Sequence, residues 1–110
     1  MSAQLTVSLV TAPPDAARRI ASAIVERRLA ACVNVVPAIH SVYRWEGEVR
    51  TDDEALLVVK GTRGTLPGLD ALLREIHPYD VYELVTLDVA GGSPPYLDWI
   101  VASVGDAVAE

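Results

Sequence analysis

The run Ala55-Leu56-Leu57-Val58-Val59 has no polar side. In an extended chain successive side chains point to opposite faces, so residues 55, 57 and 59 and residues 56 and 58 both present apolar groups. A strand of that kind needs cover on both faces of its sheet. The composition repeats the demand: 51% of the 110 residues are hydrophobic, and phenylalanine is absent, so the surplus is mostly aliphatic. A single domain of this length removes only about 65% of its unfolded surface from water. That is too little to hide so many aliphatic groups, and identical subunits are expected to cover the remainder.

The segments around this run read as one α+β domain over residues 1–110. Residues 4–11, QLTVSLVT, alternate with Leu5, Val7 and Leu9 on one side and stop at Ala12-Pro13-Pro14, a first strand. Asp15 or Thr11 can cap a helix reaching about Arg28, with Ala17, Ile20, Ala21, Ile24 and Val25 as its apolar stripe. Cys32–Trp45 is rich in β-branched and aromatic residues, and Glu46-Gly47-Glu48 turns it into a returning strand, a long hairpin. Pro37 cannot donate to a ladder, so it marks a bulge or an edge. Thr65 opens a second helix with Leu69, Leu73 and Ile76 on one stripe, which His77-Pro78 ends. Residues 83–89 read as a fourth strand. Ser93-Pro94-Pro95 starts a last helix carrying Tyr96, Leu97, Ile100, Val101 and Val104.

The order β-α-β-β-α-β plus a C-terminal helix is that of a ferredoxin-like split βαβ sandwich. Both crossover helices then lie on one side of a four-stranded sheet. The opposite face is the expected contact between copies, with the last helix covering part of it.

Fifteen acidic against nine basic residues give a net charge of −6, which excludes a nucleic-acid backbone or an anionic membrane as partner and permits cations. No run approaches a membrane span, and the first ten residues lack the positive start of a secretion signal. The single cysteine, Cys32, forms no internal disulfide and suits a reducing cytoplasm.

Candidate chemistry is sparse. Cys32 reads either as a small packed residue or as a thiol; a nucleophile needs a nearby base, and His40 and His77 are the candidates. There is no C-x-x-C or H-x-x-x-H spacing, so a metal site within one chain has no local signature, although symmetry can gather ligands from several chains. His77-Pro78-Tyr79-Asp80 concentrates polar groups at a helix end. There, His77 is either a cation on the helix dipole or part of a ligand pocket, and Tyr79 is either packed or a pocket wall. Tyr43 and Trp45 share a strand face with Ser41. Asp52, Asp53 and Glu54 read as a solvated run, with loose attraction for divalent cations as the other reading. Gly61, Gly64 and Gly68 lack the spacing of a phosphate loop, so no nucleotide or other organic cofactor is expected.

Four blocks carry a resemblance: Glu26-Arg27-Arg28-Leu29-Ala30-Ala31-Cys32-Val33-Asn34, Ser41-Val42-Tyr43-Arg44-Trp45-Glu46-Gly47, His77-Pro78-Tyr79-Asp80-Val81 and Tyr96-Leu97-Asp98-Trp99-Ile100. In these blocks, in order and with matching spacings, the chain resembles the CutA family of divalent-cation tolerance proteins. The resemblance implies a PII-like homotrimer in the cytoplasm, no established enzymatic activity, and a role in tolerance to copper and other divalent cations. It nominates Cys32 and His77 as metal ligands, with Trp45, Lys60, Tyr79 and Glu83 as neighbours in a pocket for a metal ion or small molecule between subunits. Where the family often has proline before the glutamate after this block, Tyr82 stands here. The alternative reading is a PII-like signalling module that binds a metabolite and a partner protein.

Overall fold

A computed structural model describes residues 4–105 of the chain. The elements are β1 (Leu5–Ala12), α1 (Pro14–Glu26), β2 (Cys32–Trp45), β3 (Glu48–Thr62), a 3-10 turn (Arg63–Thr65), α2 (Leu66–Ile76), β4 (Val85–Asp88) and α3 (Pro94–Ser103). The strands form one sheet in the order β2-β3-β1-β4 with every neighbour antiparallel, the split βαβ arrangement. On one face Val10, Leu57 and Val59 pack with Ile20 and Ile24 of α1 and Leu69, Leu72 and Leu73 of α2.

Both faces of the central strands are apolar, as the run at 55–59 requires. Ala55, Leu57 and Val59 enter the core, while Leu56 and Val58 are half-buried on the far face. In β1 the core side is the more polar one: Thr6, Ser8, Val10 and Ala12 are buried, and Leu5, Val7 and Leu9 join the far face. Ser8 can sit there because its hydroxyl is 2.8 Å from that of Thr86 on β4. Lys60 is in step with Leu56 and Val58, and its ammonium lies 5.7 Å from the centre of the Tyr96 ring. Helix α3 therefore crosses one end of the far face and leaves the rest of it to solvent. None of the helices described is long and apolar enough to cross a membrane.

Helix α1 differs from the sequence reading at both ends. It begins after Pro13 with no side-chain cap, so neither Thr11 nor Asp15 serves. It ends at Glu26 because Arg28 adopts a left-handed conformation (φ 59°), with Arg28 N–H bonded to Val25 O at 2.9 Å and Leu29 N–H to Ile24 O at 3.0 Å. This paired closure turns the chain sharply. Val25 falls outside the buried stripe and is 40% exposed. Leu29 and Ala30 then press on Gly61, where a Cβ would stand 3.1 Å from the Leu29 carbonyl oxygen. That close passage delivers Cys32 to its position opposite Lys60.

The hairpin outruns the sheet. β1 stops where Ala12 meets Ala55, and beyond that point β2 and β3 pair only with each other, from Ile39–Glu54 to Trp45–Glu48. The ladder slips by one residue between Val36 and Ile39, placing a bulge at Pro37. At the tip Glu46 (φ 51°) and Gly47 (φ 80°) make the two-residue turn whose twist matches a hairpin. The ribbon stretches the molecule to 47 Å against 27 and 22 Å in the other directions. β4 is shorter than the expected 83–89. The chain before it leaves the ladder and is tied to α2 through the Tyr82 hydroxyl, which donates to Asp70.

Candidate ligand site on the uncovered sheet face

The helix α2 stop brings the imidazole of His77 under the end of β1. One ring nitrogen accepts the Tyr79 backbone N–H at 3.0 Å, which fixes Nδ1 as unprotonated; Nε2–H therefore donates to the Thr11 carbonyl at 2.8 Å. His77 is buried and neutral in this arrangement, not a solvated cation at a helix end. Tyr82 stacks on it, with ring centres 5.4 Å apart and planes 27° apart, and Tyr79 tilts against it at 4.9 Å.

Held in this way, Tyr79 points its hydroxyl at Oε2 of Glu54, 3.0 Å away. The acidic run at 52–54 is thus not uniformly solvated: Asp52 and Asp53 are exposed, while Glu54 is 7% exposed. Burial and then the bond to Glu54 push the Tyr79 phenol up to about 12. Burial, followed by the nearby charge of Glu54, raises the Glu83 carboxyl above its usual range, while a hydrogen bond from Thr11 opposes the shift. His40 lies out on the ribbon, exposed, with Nδ1 2.6 Å from Asp53. Tyr43 donates to Asp52 beside it.

Cys32 and Lys60 form a second group at the other end of the same face. Cys32 is half-buried, reduced and directly opposite Lys60 in the ladder. Because Thr11 is opposite Leu56, four residues from Lys60 along β3, the two groups stand about 13 Å apart. Trp45 sits at the ribbon tip, half exposed. One chain therefore brings together His77, Tyr79 and Glu83, brings together Cys32 and Lys60, and keeps the two sets and Trp45 separate. A thiol and an imidazole do not meet within it, and among the described residues no group of three His, Cys, Asp or Glu side chains converges on a metal position.

Glu54 is the residue whose burial sequence reasoning missed. Its signal was parity: it precedes Leu56 and Val58 by even steps and so belongs to their face, and it differs from Asp52 on that face in lying next to the end of β1. An open groove of about 820 Å³ lies on the helix side between α2 and residues 80–86; of its polar groups Asp70, Arg74 and Tyr82 are bonded to one another, Thr86 is paired with Ser8, and Asp80 stands at the exposed edge.

A family model described as CutA1 divalent ion tolerance protein matches residues 6–103. The divalent-cation tolerance protein CutA of Thermus thermophilus is 50% identical over 100 residues, covering 90% of this chain and 97% of that one. The crystal structure of CutA1 from Oryza sativa superposes with a TM-score of 0.92 at 42% identity, covering 96% of this chain and 97% of that chain. The apo structure of the PII-like protein CutA from Nostoc superposes with a TM-score of 0.85 at 31% identity, over 91% and 97% of the two chains.

Proposed function

The chain belongs to the CutA1 divalent ion tolerance family, and from that premise we propose that it is a non-enzymatic cytoplasmic homotrimer that takes a metal ion or small ligand in clefts between subunits. Copper is the metal proposed, with Cys32 as its soft ligand, since thiolate suits Cu(I). The observation that carries this reading is the position of Cys32: reduced, half-buried, and set opposite Lys60 on the sheet face that helix α3 covers only at one end. One chain offers a single soft donor there, so the remaining donors come from another copy. His77 spends both ring nitrogens on Thr11 and Tyr79. Its part is to hold Tyr79, Glu83 and the neighbouring wall in place, with Lys60 and Trp45 lining the cleft from other elements.

Titration with Cu(I) under reducing conditions tests the assignment. The intact protein binds stoichiometrically, Cys32→Ser loses that binding, and His77→Ala retains it with altered affinity. Unchanged binding in Cys32→Ser removes the thiol from the site, and loss in His77→Ala as complete as in Cys32→Ser makes the imidazole a ligand.

A second reading draws on the superposition with a protein described as PII-like. A metabolite in the same clefts would then remodel the exposed ribbon for a partner protein. Stabilisation of the purified protein by a metabolite, in a thermal screen without metal, supports this reading over copper.

A further inference from the structure

The far face of the sheet holds two charges that no group among the described residues compensates. Glu54 is 7% exposed, accepts one hydrogen bond from a neutral phenol, and forms no ion pair among the described residues. A carboxylate taken out of water requires more than that. Arg50 is on the same face but bridges Glu46 and Glu48 at 3.6 and 3.8 Å. Lys60 is the only lysine of the chain. It is half-buried, lies over the Tyr96 ring, and pairs with no carboxylate among the described residues. An aromatic face attracts an ammonium without neutralising it.

Glu54 and Lys60 are on one strand, six residues apart. Even spacing puts them on one face, and strand geometry holds them about 20 Å apart. They cannot meet in one molecule. Between them run Leu56 and Val58, flanked across the ladders by Leu9 and Val36 and, at their other neighbours, by Thr11 and Asn34. A negative end and a positive end joined by an apolar band are complementary to a second copy of the same surface.

We propose that Lys60 of one copy seats its ammonium on Glu54 of the next, so that the crevice between Cys32 and Tyr79 is built from two chains and is incomplete in one. This rests on the assembly proposed above and specifies its contact.

Charge reversal tests the contact by sedimentation and by circular dichroism of Lys60→Glu, Glu54→Lys and the double variant. Each single reversal weakens association by about thirtyfold or more, and the double variant recovers most of that loss. Lys60→Met, Glu54→Gln and their combination repeat the cycle with milder changes in case a reversal does not fold. There the pair together costs no more than either alone. An assembled wild type whose double variants show only the sum of the single losses overturns the pairing. A wild type that sediments as one chain overturns the assembly reading instead. An assembly that dissolves on chelation while Lys60→Met behaves as wild type shows a metal ion neutralising Glu54, and the lysine contact is then wrong.

Discussion

His77 shows how little freedom a buried imidazole keeps once the backbone around it is set. A backbone N–H can only donate, so the Tyr79 amide fixes the tautomer, and the tautomer fixes the bond to Thr11. The result is a rigid loop that holds a phenol on a buried carboxylate. The consequence for pH follows from Tyr79, whose hydroxyl is held up at about 12 against an ordinary value of 10.0. The folded chain binds the phenolic proton more tightly than the unfolded one. The stabilisation is therefore complete below pH 10 and is lost as pH rises towards 12. Denaturant unfolding across that range is expected to show a steeper alkaline loss for the wild type than for Tyr79→Phe, which has no proton to lose. Parallel curves would mean that the phenol does not contribute through this bond.

At the scale of elements, the end of α1 decides where the candidate thiol falls. Closing the helix on Arg28 places a residue with a Cβ in a left-handed conformation, which costs about 1–2 kcal/mol. Glycine removes that strain but gives back about 0.5–1 kcal/mol in chain entropy. Arg28→Gly is expected to raise unfolding free energy by about 0.5–1 kcal/mol without moving Cys32, and denaturant titration checks it; a destabilised variant would show that the arginine side chain holds the turn. Most of the fold was legible because period-two and helical patterns depend on neighbours in sequence: the hairpin and both crossover helices followed from them, and proline's missing donor marked Pro37 as a bulge or an edge, where the ladder slips on an edge strand. The misses at the ends of α1 are local, but those in the sheet are not. Where β4 begins and how Glu54 is buried are set by long-range contacts such as Tyr82 with Asp70 and Tyr79 with Glu54. For the candidate site, the residues were nameable from the resemblance, but their separation into two groups required the strand register.

For the whole molecule, the ribbon and the far face make one argument. A two-stranded ribbon of seven pairs has no third strand beside it and no helix over it, and such hairpins are marginal alone in water. It nevertheless carries Val42 and Val49, 67% and 64% exposed, which by register continue the helix side of the sheet, while Val85 and Leu87 of β4, about half exposed, lie on the far face. Cover from other copies on the far face and around both sides of the ribbon would stabilise the ribbon and hide these groups, which links its order to association. Melting temperature is then expected to rise with protein concentration over about two orders of magnitude. On dilution, amides of residues 39–54 lose protection from hydrogen exchange before those of β1 and the core half of β3, which their own helices cover. A melting temperature independent of concentration, with the ribbon as protected as the core in a single sedimenting chain, would show that the ribbon is stable without partners, and its exposed valines would then no longer require a second copy.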